Sequence, residues 1–187
     1  MVRYDAAHKQ ASRERIVEAA RRQFRTRGFD TASIDDLMKA AGLTRGAFYA
    51  HFSSKEALVI EVLAIEAGLV RQLQTSAAEA DTDQAIEALS AYLSPSERAD
   101  VATNCPLVTH PVDAIRGDAP RRAGYTDRVN GLIDALGGLP GVEPDDATLA
   151  AVITVGAAQL SAAISDGNLA DHIEGVGLRA VRKLIAG

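Results

Sequence analysis

Arg45, Tyr49, His51 and Lys55 put two cations, a phenol and an imidazole into one short stretch, TRGAFYAHFSSK. A guanidinium can donate two parallel hydrogen bonds to O6 and N7 of a guanine edge, while ammonium, phenol and imidazole donors suit phosphate oxygens. Cys105 is the second place where chemistry could reside. It directly precedes Pro106, and proline favours the first helical position, which places Cys105 at an N-cap. There the helix dipole and free N–H groups would stabilise a thiolate and raise its reactivity; the plainer reading is a buried core cysteine. Cys105 and His110, five residues apart, would sit about 140° from each other on a helix and not share a face, which makes a nucleophile and base pair weak unless Pro111 kinks that geometry. His110 and His172 with nearby acids make a weak metal site, and no HExxH, glycine-rich phosphate loop or serine-nucleophile motif occurs. The expectation is therefore a protein that is not an enzyme and uses no metal or cofactor.

The elements that must position the first group lie between Ser33 and Leu58, SIDDLMKAAGLTRGAFYAHFSSKEAL. Ser33 with Asp36 reads as a capping box opening a helix whose buried stripe is Ile34, Leu37 and Met38. Gly42 permits the left-handed backbone of a sharp turn. Thr44 then N-caps a second short helix, with Leu43, Ala47, Phe48 and Phe52 inward and Arg45, Gly46, Tyr49 and His51 outward. Ser53 and Glu56 read as a further capping box that aims the next helix N-terminus outward. This is a helix-turn-helix pattern, in which the start of the second helix enters the DNA major groove. That makes Thr44, Arg45, Gly46 and Ala47 the base-facing set, with Tyr49, His51 and Lys55 on phosphates.

From about Ala11 to Leu58 the chain resembles the TetR family of bacterial transcriptional repressors: a first helix ending in RTRGFD, then TASIDDLMKAAG, then LTRGAFYAHFSSKEAL. The resemblance implies an all-α homodimer of about nine helices, whose first three bind operator DNA at paired half-sites and whose remaining helices bind an effector. It implies DNA contacts at Thr31, Ser33, Thr44, Arg45, Tyr49, His51 and Lys55. It also implies a DNA-binding domain over residues 1–54 and an effector-binding and dimerisation domain over 55–187. The stretch YLSPSERADVATNCPL is similar to a subgroup with a cysteine at this point, part of which senses electrophiles or oxidants. Asn104 replaces a usual Gly there, and Glu97-Arg98-Ala99-Asp100 a His-Arg-Asp run.

Length and charge fit this division. The 187 residues suffice for one sizeable core or two small ones, and a single cysteine excludes an intrachain disulfide. Residues 1–60 hold eleven Lys and Arg against seven Asp and Glu, net plus four, while the remainder is net minus nine. A local basic surface is what nucleic acid needs. No positively charged apolar leader opens the sequence, so the expected location is cytoplasmic.

Residues 1–10 lack an apolar stripe and read as a frayed arm, before a helix from Ala11 to Gly28. A long helix is expected from Ser54 to about Thr75, a shorter one over Asp81–Leu93, and another between Asp118 and Leu136. All six prolines fall between Pro95 and Pro144 and punctuate that region. Two helices close the chain: one from roughly Asp145 to Ser165, uncharged from Ala147 on, then one capped by Asn168 and running to about Ile185. The first is apolar nearly all round, which suits a two-fold dimer interface better than a membrane span. Between these helices, Cys105, Tyr92, His110 and Tyr125 are the candidate effector or sensor residues. The second domain has no Phe or Trp, so an aliphatic pocket for a small, non-aromatic effector is expected. Two alternatives are a helical ligand-binding protein without specific DNA recognition and a thiol enzyme using Cys105.

Overall fold

The computed structural model describes residues 2–65, 68–96 and 105–187, with side chains from residue 7 onward. The Glu97–Asp100 run and Asn104 lie outside the described residues. Those described are all-α, with eleven helical segments and no strand. That is more pieces than about nine helices, because the region before Ala119 is broken by prolines and the long helix expected after Ser54 is split.

Helix α1 (Val2–Arg27) starts well before Ala11, so residues 2–10 are helical rather than a frayed arm. Their Ala, Lys, Arg and Gln content favours helix, and Gln10 donates to Glu14 one turn on at 2.9 Å. The helix ends at Gly28, whose φ of +78° turns the chain. Phe29 then folds back edge-on to Phe24, with ring centroids 5.2 Å apart. Helix α2 (Ile34–Ala40) is capped by Ser33, whose hydroxyl accepts from the Asp36 amide at 3.1 Å. Gly42, at φ +64°, makes the turn into α3 (Arg45–Phe48). Helix α4 (Lys55–Ala64) opens at Ser54, which accepts from the Ala57 amide. The cap is thus Ser54 and not Ser53; Glu56 is drawn instead to Arg121, far along the chain. Ile16, Phe24, Phe29, Leu37, Phe48 and Leu58 are fully buried in the core of this unit.

Helix α4 stops at Ala64, and Ile65 is extended at ψ 120°, so the expected helix to Thr75 becomes α4 and α5 (Gly68–Glu79). The physical reason lies on another helix. The Arg128 guanidinium donates to the carbonyls of Val62, Leu63 and Ile65, satisfying the chain end that a continuing helix would have used.

The second core gathers α5, α6 (Thr82–Tyr92), α7 (Pro106–Thr109), α9 (Ala119–Gly137), α10 (Pro144–Ala163) and α11 (Gly167–Ile185) around Leu73, Leu89, Leu136 and Ile185. Helix α8 (Pro111–Arg116) lies between α7 and α9. The N-cap of α11 is Asp166, not Asn168: its carboxylate accepts from the amides of Asn168 and Leu169, and its charge suits a helix start. Helices α10 and α11 pack closely at Gly177, where an added Cβ would come within 2.8 Å of the Ala157 Cβ. Helix α10 is long and apolar enough to cross a membrane. Its inner side, with Ala147, Ala150, Ala151 and Thr154, packs into the second core instead.

Candidate nucleic-acid interface

Helix α3 holds only four residues, with Phe48 buried and Ala47 half-buried against the first core. Thr44 has the extended backbone of an N-cap, but its hydroxyl caps nothing and stands exposed. Arg45 is exposed and meets Asp35 at 2.8 Å, an ion pair open to solvent on both sides. The Tyr49 hydroxyl foremost, then the Asp35 carboxylate, hold its pKa above the ordinary value. A Cβ at Gly46 would meet no atom within 4 Å, so no contact inside the chain requires glycine there. Tyr49 is 57% exposed although its ring stands edge-on to Phe48. Thr31 and Ser33 are exposed before α2.

Two of the expected phosphate ligands are less free. His51 is half-buried with an unpartnered Nδ1, and burial, aided by Lys9 and Arg13, lowers its pKa. The Lys55 ammonium donates to the Asp30 carbonyl at 3.0 Å, and burial lowers its pKa. Other basic residues serve the scaffold. Arg13 pairs with Glu61 and lies over the Phe52 ring, and Arg15 donates to the Ala41 carbonyl at the end of α2.

In the second unit, an open cavity of about 420 Å³ lies among α4, α5 and α9. Cys105 lines it; Tyr92, His110 and Tyr125 do not. Cys105 is the N-cap residue of α7, but its side chain caps nothing, and four residues make a weak dipole. The positive charges beside it are instead the guanidinium groups of Arg25 and Arg128. Tyr125 donates to the Leu107 carbonyl at 2.9 Å, burial raising its pKa, and Tyr92 packs on the second core. His110 is buried between the units: its ring stacks on Phe29 at 4.2 Å and Nδ1 meets Asp113 at 3.0 Å. Burial lowers its pKa more than Asp113 raises it.

Sequence reasoning missed the residues that join the two units. Arg121 grips Glu56 with two nitrogens and Asp30 with a third, and these acceptors, Glu56 foremost, raise its pKa. Seven residues on, Arg128 holds the other end of α4. Between them a Cβ at Gly124 would meet Leu63 at 3.3 Å, so α9 lies directly on α4. The spacing 121, 124, 128 is one helical face, a signal visible in the sequence though without a partner assigned to it.

Such an arrangement, a helix-turn-helix with an exposed second helix, mounted on a larger helical body, defines a class of DNA-binding proteins. Residues 16–62 match the family of bacterial regulatory proteins, tetR family. Over 63 residues the chain is 43% identical to the HTH-type transcriptional regulator TtgR of Pseudomonas putida, covering 34% of this chain and 30% of that protein. Over 65 residues it is 40% identical to the HTH-type transcriptional regulator YdgC of Bacillus subtilis, covering 35% and 33%. The matches thus span about a third of these relatives' length. Over nearly the whole chain the fold is similar to reduced NemR of E. coli, with TM-score 0.70, 18% identity and 93% and 97% of the two chains covered. A TetR-family regulator from Cytophaga hutchinsonii gives TM-score 0.72 at 20% identity, covering 96% and 98%. Residues 16–62 thus match the tetR family of bacterial regulatory proteins, and the all-helical fold is similar to that of these solved regulators.

Proposed function

We propose that this protein is a cytoplasmic, homodimeric transcriptional repressor that leaves its operator when an effector reaches the second unit. The observation that carries this reading is α3: its inner side is locked by Phe48, and its outer side leaves Thr44, Arg45, Gly46 and Tyr49 exposed, with Arg45 held only by a solvent-open pair with Asp35. Thr31, Ser33, Ala47, His51 and Lys55 complete the DNA-contacting set, with bases read by Arg45 and phosphates held by the others. The DNA-binding domain spans residues 1–54 and the regulatory domain 55–187. Selection of bound genomic fragments by the purified protein tests the reading. A recurrent site with two related half-sites supports it, and an unenriched library contradicts it.

Pairing of two copies uses α10 and α11, where Leu149, Val152 and Leu160 on one helix and Leu169 and Val176 on the other are exposed. Cys105 is the candidate for a thiol-reactive effector, since it lines the cavity against α4. If N-ethylmaleimide releases DNA from wild type and not from Cys105→Ser, the thiol is the sensor; equal release in both makes it structural.

A further inference from the structure

The largely apolar cavity has a charge pattern that selects its occupant. Its walls are aliphatic, with Ile60, Leu63, Val70 and Leu107, and among the described residues its lining holds no aromatic ring. Arg128 supplies the cation. Arg121 on the same helix is neutralised by two carboxylates, whereas among the described residues no carboxylate pairs with Arg128. Its hydrogen bonds go to three neutral carbonyls of α4's last residues. Arg21 and Arg25 are near enough to repel it, and Asp127, the one acid among the described lining residues, is exposed. A half-buried cation whose acceptors are all neutral gains by exchanging them for an anion, because charge-assisted hydrogen bonds are shorter and roughly twice as strong.

We propose that this cavity receives a small aliphatic carboxylate, its chain among the aliphatic walls and its charged end on Arg128. The inference rests on the reading that the second unit controls DNA binding. Its consequence is mechanical: an anion that takes the Arg128 guanidinium releases the carbonyls of Val62, Leu63 and Ile65. The C-terminal end of α4 then loses its anchor to α9. Since Leu58, Val59, Val62 and Leu63 of α4 belong to the core beneath α3, freeing that end lets the DNA-reading helix shift. DNA affinity therefore falls when the acid binds.

Octanoate, octanol and octylamine are suitable probes, titrated calorimetrically into the DNA-free protein. Octanoate is expected to bind at least about tenfold more tightly than either twin, the effect of one charge-assisted contact. Arg128→Gln should erase that preference. Gly131→Leu should abolish octanoate binding by filling the cavity: a Cβ at Gly131 meets no atom within 4 Å, and leucine is the better helix former, so the fold is kept. Equal binding of acid and alcohol, no binding of either, or octanoate binding unchanged in Gly131→Leu overturns the inference. The same probes are then added to a complex with selected DNA. Release by octanoate in wild type but not in Gly131→Leu supports the coupling, and binding without release overturns it. A protein that takes octanoate yet prefers no DNA sequence contradicts the repressor reading and leaves the cavity assignment standing.

Discussion

Arg45 and Asp35 illustrate how a residue's freedom is decided by its neighbours. The ion pair between them is open to water, where such pairs contribute about 0–1 kcal/mol, so it holds Arg45 only loosely. Asp35→Asn should strengthen DNA binding, most at low salt, since it frees the guanidinium and removes a negative charge facing phosphates. Arg45→Ala should cost about 1–3 kcal/mol at one base position per half-site and relax preference there. Binding curves across single-base operator variants check both. His110 makes a pH prediction. With its folded pKa below the ordinary 6.5, the unfolded chain binds the proton more readily, so stability is unaffected above that pH and falls as pH drops through 6.5 toward the folded value. Denaturation midpoints of wild type and His110→Gln between pH 7.5 and 5 (chosen to bracket about 6.5) should show the steeper acid loss in wild type. Helical spacing made the exposure of Arg45 and Tyr49 legible in the sequence. It could not show that Lys55 turns to the Asp30 carbonyl or that His110 stacks on Phe29, since those are contacts between segments that only the fold brings together.

At the scale of elements, α4 is held at both ends by α9. Arg121 anchors its first turn through Glu56, and Arg128 its last carbonyls. Removing the Arg121 side chain leaves Glu56 and Asp30 without their cation. Because Glu56 and Asp30 keep access to water, Arg121→Ala should destabilise by about 1–3 kcal/mol, less than for a fully buried pair. Urea unfolding measures this, and DNA affinity should fall with it because α4 seats the reading head. The helix starts and the glycine stops were largely legible, Gly28, Gly42 and Ser33 among them. The split of the helix after Ser54 was not, because the apolar stripe continues through Ile65 and Leu69, and the interruption comes from a guanidinium 63 residues away. Ser54 and Asp166 were displaced by one and two positions from the expected caps, since adjacent Ser and Asp residues compete and tertiary packing chooses between them.

The whole molecule separates a basic reading unit from an acidic helical body, and its outer face on α10 and α11 asks for a second copy. Val152 is 63% exposed, so Val152→Asp should leave the monomer folded while opposing association by placing a charge in an apolar contact. Sedimentation should show a dimer for wild type and a monomer for the variant, with unchanged helical circular dichroism. The aliphatic cavity was anticipated from the absence of Phe and Trp beyond residue 54, whereas its cation could not be, because Arg128 reaches it only once α9 lies on α4. The central claim is sequence-specific recognition by α3, and the ratio of affinities for a selected operator and a scrambled duplex, at one moderate salt concentration, tests it most directly. A specific reader should favour its operator by at least about a thousandfold, with most of that preference lost in Arg45→Ala. Equal affinity for the two duplexes would contradict the account.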